Sequence, residues 1–312
     1  ARGPPPPAVE KIEQSLIAAQ DYITSGDYAK AEAILIKLIE RAPQEARGHE
    51  LFGQVLGLQA DAAQKRGDSL AATKLRTRAY EQYKAAAALD PKSAGLQHSA
   101  GLMAMAAGMP DDALAHFEAA GKFDPANSQF ALFAAQLLIQ QKRYDEATTY
   151  LDQVLKADPN QAMAHASLAV IEMEKGQFES ALVHVRQARQ IEPGDVNIRV
   201  QEAKILRRNG QTKTALELMV GLSAAERSKE PVAFEIAACY EQLGDLMNAA
   251  RAWQHAVQTN PLDPRAWLFR VRAAQLLLKA GEREQAWMWL QEAKMAAPDA
   301  PEVKDLEAAF AK

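Results

Sequence analysis

The chain is predicted to be an all-α solenoid of about eight helix-turn-helix units. Three observations predict it. Alanines recur at Ala31, Ala79, Ala113, Ala147, Ala181, Ala215, Ala249 and Ala286, in steps of 48, 34, 34, 34, 34, 34 and 37 residues. Twelve residues after all but one of them stands a proline: Pro43, Pro91, Pro125, Pro159, Pro193, Pro261 and Pro298. The composition is rich in Ala, Leu, Glu, Gln and Lys, the strong helix formers. A fixed period of this length marks stacked supersecondary units, each packing on its neighbours, so the array counts as one elongated body.

The first eleven residues, opening ARGPPPP, are expected to be an extended tail, because consecutive prolines favour a stiff polyproline conformation. Repeats are then expected at 12–45, 46–93, 94–127, 128–161, 162–195, 196–229, 230–263 and 264–300, with a capping helix over 301–312. In most units a glycine lies five residues before the alanine, at Gly26, Gly108, Gly176, Gly210, Gly244 and Gly281. It can close the first helix in a left-handed cap. Polar residues such as Asp27 and Asp245 then open the second helix. The alanine sits inside that second helix, where a small side chain lets its partner approach. A bulky residue follows four positions on, as at Leu35, Phe117, Leu151 and Trp253, which puts both on one face. Asp-Pro or a similar pair ends the unit, because proline keeps the preceding residue out of the helical region.

These residues resemble the tetratricopeptide repeat (TPR) family. The third unit shows Gly101, Gly108, Ala113, Phe117, Ala120 and Pro125. The seventh shows Ala237, Tyr240, Gly244, Ala249, Trp253, Ala256 and Pro261. The likeness covers roughly 12–300, and it implies a right-handed superhelix whose concave face is lined by the first helix of each repeat.

Departures from the period are informative. The 48-residue step carries 14 extra residues, about two turns on each helix, so 46–89 is expected to be a lengthened hairpin. The sixth unit has Arg227 in the proline slot and Thr212 at the turn. After Pro298, the spacing of Val303, Leu306 and Phe310 fits an end piece that hides the last apolar face.

Net charge is −4, with both signs interspersed. A nucleic-acid partner would need a basic face, so none is expected. No apolar run is long enough to span a bilayer. The single Cys239 excludes an internal disulfide and reads as a small packing residue. No metalloprotease, phosphate-loop or nucleophile-elbow motif occurs, so neither enzyme chemistry nor a cofactor is expected. His116 and His184 occupy the same place in their repeats, which reads as a repeated surface position and not a metal site. All four tryptophans fall in the last two repeats. Trp253, Trp267 and Trp287 are expected in the core, and Trp289 is expected to point elsewhere on its helix, where it is a candidate exposed anchor.

Carrying the family's concave face onto this sequence gives a groove of three zones. Repeats three to five supply His98, Ser99, Leu102, Met105, Leu132, Phe133, Gln136, Ile139, Met163, Ser167, Val170 and Met173, an apolar, methionine-rich strip. Repeat six supplies Gln201, Lys204, Arg207 and Arg208, a basic patch. Repeats seven and eight add Phe234, Glu235, Glu241, Phe269 and Arg272. The lysine and asparagine clamp with which some family members hold chaperone C-termini is absent. The expected function is a non-enzymatic adaptor that binds a protein partner, as a peptide or helix, in this groove. The rivals are an architectural, self-assembling spacer and the regulatory region of a larger enzyme. The style of the repeats suggests a bacterial protein of envelope, secretion, pilus or polysaccharide assembly. The proline-rich start suits a periplasmic or envelope tether, with a cytoplasmic site as the alternative.

Overall fold

The computed structural model describes residues 7–310, which fall into two compact units divided after Ala157. The first unit contains α1 (Pro7–Ser25), α2 (Tyr28–Arg41), α3 (Ala46–Lys65), α4 (Ser69–Leu89), α5 (Ala94–Ala106), α6 (Pro110–Phe123), α7 (Ser128–Gln140) and α8 (Tyr144–Ala157). The second contains α9 (Ala162–Glu174), α10 (Phe178–Ile191), α11 (Val196–Arg208), α12 (Thr212–Val220), α13 (Ala224–Arg227) and α14 (Glu230–Gln242). It continues with α15 (Leu246–Thr259), α16 (Ala266–Lys279), α17 (Arg283–Ala296) and α18 (Pro301–Phe310). In each unit, successive helices pair as hairpins and every hairpin packs on the next. The expected tail is shorter than its prolines suggested. Pro7 opens α1, where its fixed φ suits the first helical turn, so 7–11 are helical; residues 1–6 lie outside the described residues.

The left-handed turn that closes the first helix recurs from repeat to repeat, whereas a side-chain cap on the second helix does not: Met109, Gln177, Gln211 and Glu282 provide none. Gly26 takes φ +78°, its N–H reaches the Ile23 carbonyl at 3.1 Å, and the Asp27 N–H reaches the Tyr22 carbonyl at 2.9 Å. This closes α1, and the Asp27 carboxylate then accepts from Lys30 N to open α2. Repeat four makes the same turn without a glycine: Lys142 adopts φ +61° there.

All eight periodic alanines are fully buried. Their bulky partners Leu35, Phe117, Leu151, Val185, Met219, Trp253 and Leu290 are buried too. Gly101 serves a packing role. A Cβ there would come within 2.8 Å of the Phe117 ring, so only glycine lets the ring lie on the helix backbone.

The 14 extra residues divide evenly. Helices α3 and α4 are 20 and 21 residues long, against 13 and 14 for α5 and α6. Repeat six breaks its second helix. Without a proline stop, α12 ends after 9 residues at Gly221, and Ser223 and Glu226 form a reciprocal capping box that starts the short α13. At the far end Val303 and Leu306 of α18 are buried against Val271, Leu290 and Ala293. The tryptophans there reverse the expectation. Trp289 is half-buried and packs into the core, whereas Trp287 is 44% exposed and meets only the edge of Phe310. Positions two apart on a helix point about 200° apart, so only one of the two could face inward, and it is Trp289 that shares the face of the buried Ala286, Leu290 and Ala293.

One device recurs at a position the period alone does not reveal. Six residues after a repeat proline, a long polar side chain reaches back to that proline's carbonyl. His49 meets Pro43 at 3.1 Å, Gln97 meets Pro91 at 3.3 Å, His165 meets Pro159 at 3.0 Å and Arg199 meets Pro193 at 2.6 Å. Three of these side chains also grip the second helix of their own repeat: His49 with Gln82 at 2.9 Å, Gln97 with His116 at 2.7 Å, and His165 with His184 at 3.0 Å. The side chain thus satisfies a carbonyl that helix termination leaves open and ties both helices to the turn. His116 and His184 do share a position, but they are half-buried members of this latch and not surface residues.

Candidate functional site

In the first unit, the first-helix residues of repeats three and four gather around an aromatic nest. The His98 ring lies 5.3 Å from Phe130, 5.5 Å from Phe133 and 6.0 Å from Phe117, and Phe133 stacks on Phe117 at 5.1 Å. Burial pushes the His98 pKa below its ordinary value, and its buried Nε2 has no hydrogen-bond partner. Around this nest Leu102 is 39% exposed, Gln136 is exposed, and Ser99, Met105, Leu132, Phe133 and Ile139 are half-buried. These side chains offer an apolar surface on α5 and α7 that is anchored from beneath.

In the second unit the expected groove residues divide. On α9, Met163 is 61% exposed and Ser167 and Val170 are half-buried, but Met173 is only 2% exposed and belongs to the core with Ala181 and Val185. The basic patch is largely spent internally. Arg207 makes a two-point ion pair with Glu235, at 2.6 and 3.2 Å, and those hydrogen bonds push its pKa up. Arg208 holds Glu174 at 2.5 Å. Gln201 donates to the Ala166 carbonyl at 2.6 Å. Within this patch, Lys204 is the exposed cation without such a pairing among the described residues. Glu235 and Phe269, expected in the groove, are 2% and 5% exposed and are core.

A cleft of about 550 Å³ does open between α14 and α16. Phe234, Ala238 and Glu241 form one wall, Arg272, Leu276 and Lys279 the other, and Trp253 of α15 lies between. Phe234 stands edge-on to Trp253 at 5.6 Å, and Trp253 stacks on Phe269 at 5.3 Å. The buried Trp253 Nε1–H has no acceptor.

Two further hollows lie in the first unit, and sequence reasoning missed both. One, of about 520 Å³, is bounded by α6, the 125–127 turn, α7 and α8. The other, of about 320 Å³, lies between α1 and α2. They are the same hollow in two repeats: Asn127, Ser128, Ala131, Tyr150, Gln153 and Val154 line the first where Lys11, Ile12, Ser15, Ile34, Lys37 and Leu38 line the second. The small residues Ala131 and Ser15 stand where His49, Gln97, His165 and Arg199 stand elsewhere. Smallness alone does not open the hollow: Ala233 holds the position in repeat seven and is packed in a core cluster.

The fold and its surfaces now permit comparison with known proteins. A family model for the tetratricopeptide repeat matches residues 104–171. That stretch is similar to the tetratricopeptide repeat. The solved structures the chain resembles are of the same architecture. A TPR protein from Parabacteroides merdae aligns with a TM-score of 0.60 at 14% identity, over 85% of this chain and 99% of that one. PilW, a type IV pilus biogenesis factor, aligns with a TM-score of 0.52 at 20% identity, over 72% of this chain and 97% of that one. A chain of the Cut9–Hcn1 complex aligns with a TM-score of 0.54 at 14% identity, over 94% of this chain and 54% of that one. At these identities the TPR likeness concerns fold. No curated protein matches the sequence. No helix among the described residues is long and apolar enough to cross a membrane.

Proposed function

We propose that this TPR chain is a non-enzymatic adaptor that holds an apolar peptide or amphipathic helix against α5 and α7. The observation that carries the reading is the exposed Leu102 and half-buried Leu132 set on the His98, Phe117, Phe130 and Phe133 nest. A firm apolar surface gives a partner area to bury at little ordering cost. The setting we propose is bacterial envelope, secretion, pilus or polysaccharide assembly, on the strength of the proline-rich start and the Asp-Pro junctions; fractionation of the native source tests it.

The binding test is a random peptide library panned on the full chain, with selected peptides titrated against wild type and Leu102→Asp/Leu132→Asp. Phe133 is left intact because it stacks on Phe117, and a charge there would open the core. The reading expects apolar or amphipathic sequences and at least a roughly tenfold loss in the variant. A folded variant that binds as tightly as wild type would overturn it. A self-assembly reading has its own support on α17, where Trp287, Met288 and Met295 are 44%, 64% and 81% exposed. Sedimentation across a concentration series distinguishes it: a constant monomer mass rules it out.

A further inference from the structure

The hollow at Ala131 lies where five other repeats place a larger side chain, at His49, Gln97, His165, Arg199 and Trp267. Position 131 corresponds to His49, Gln97, His165 and Arg199, each of which presents a planar, N–H-bearing group to the carbonyl of the proline six residues earlier. In repeat eight the position carries the largest side chain found there, Trp267, which packs with Leu290 and Ala293 and makes no hydrogen bond to the Pro261 carbonyl among the described residues. In repeat four the group is missing. Ala131 ends at its methyl, and the Pro125 carbonyl receives no side-chain hydrogen bond among the described residues. Phe117, Phe130 and Val154 give the space an apolar lining, and Pro125 itself lines it.

We infer that this hollow receives, in trans, the tryptophan side chain of a partner protein, whose indole N–H donates to the Pro125 carbonyl. Three arguments select that occupant. The volume of about 520 Å³ exceeds what a histidine or glutamine ring or amide would fill, so the largest of the groups used internally fits best. Phe117, Phe130 and Tyr150 offer aromatic faces and edges to an indole. The rim is polar, with Lys122, Asn127 and Glu118 placed to meet the backbone of the segment that carries the ring. Tryptophan is also the side chain that most often anchors an interface when it enters a pocket. The inference does not rest on Leu102 or Leu132, neither of which lines the hollow, although the hollow shares α7, Phe117 and Phe130 with the surface on α5 and α7.

The test uses the full chain and N-acetyltryptophanamide, a ring with peptide groups on both sides. Binding is followed by amide chemical shifts of Gly121, Ser128 and Gln153. Shifts in these residues that saturate in the millimolar range are expected for wild type. Ala131→His, which copies His165 one repeat later, should fill the hollow, fold normally and weaken binding at least about tenfold. Ala131→Gln, which copies Gln97, provides the same block if the histidine variant fails to fold. Methylating the indole nitrogen of the probe should weaken binding several-fold by removing the donor. Absence of shifts at the hollow in wild type, or shifts that persist in a folded Ala131→His or Ala131→Gln protein, overturns the assignment. Equal binding of the methylated probe overturns the role of the Pro125 carbonyl. Bare indole binding as tightly as N-acetyltryptophanamide overturns the protein partner in favour of a small aromatic molecule.

Discussion

The Nδ1 atoms of His165 and His184 face each other at 3.0 Å across the α9–α10 hairpin. Only one of them can carry a hydrogen. His165 Nε2 points at the Pro159 carbonyl, which only accepts, so in the neutral ring the proton sits on Nε2 and Nδ1 accepts from His184. His184 Nε2 then carries no hydrogen and makes no hydrogen bond to Glu172, whose carboxylate lies 3.6 Å away. Long-range nitrogen–proton spectra at neutral pH should show opposite tautomers for the two rings. Repeat three makes the same latch with Gln97, so His165→Gln should be nearly neutral in stability. His165→Leu strands the Pro159 carbonyl and should cost about 1–3 kcal/mol by denaturant unfolding. Equal costs for the two variants would contradict the latch.

Lys142 carries a second prediction. It holds the left-handed conformation that seven glycines hold at the same turn in other repeats, and its N–H bonds the Ile139 carbonyl at 3.0 Å as theirs bond equivalent carbonyls. An L-residue with a Cβ is strained there by about 1 kcal/mol. Lys142→Gly should therefore raise stability by up to about 1 kcal/mol, whereas glycine in a helix interior lowers it. A thermal melt of the single variant decides the sign.

The Arg207–Glu235 pair sets a third. Glu235 is 3% exposed at its side chain and Arg207 is 19% exposed, so neither is well hydrated. Glu235→Ala leaves a mostly buried guanidinium uncompensated and should cost about 3–5 kcal/mol, while Arg207→Met/Glu235→Leu should lie near wild type. Urea unfolding of both variants measures this. If instead Arg207 were a free groove cation, Glu235→Ala would leave stability unchanged.

Protonation of His98 opposes folding. Burial lowers its pKa, and that of His116, below the ordinary 6.5. As pH falls through about 6.5 the unfolded chain takes up protons that the folded chain refuses. Stability contributed by the neutral rings is therefore full above that pH and is lost as pH drops toward the folded values. For His116 the carboxylate of Asp112 partly offsets the loss. The His98→Phe protein should lose less urea resistance than wild type between pH 7.5 and 5.5. An identical loss in both would remove His98 from this account.

Much of the fold was legible because its signals are local. The alanine with its bulky partner four positions on, the glycine turn and the Asp-Pro stop each act within one hairpin. The even split of the extra residues between α3 and α4 followed from the same period. The expected binding residues were less legible because their fate is decided by another helix. Met163 and Met173 lie on one helix in one sequence context, yet the first is exposed and the second is core.

What the sequence by itself determined is the identity of the repeating unit, its length and its ends, because each rests on backbone sterics and spacing within about 34 residues. The tertiary structure alone decided how polar side chains are used. Arg207 reads as a basic groove residue until Glu235, 28 positions later, is seen to hold it. The vacancy at Ala131 exists only by contrast with His49, Gln97, His165 and Arg199, whose common reach to a proline carbonyl is a fact of three dimensions. A hydrogen bond or ion pair depends on where the second partner lies in space, and repeat periodicity sets the spacing of helices without choosing which of their side chains meet.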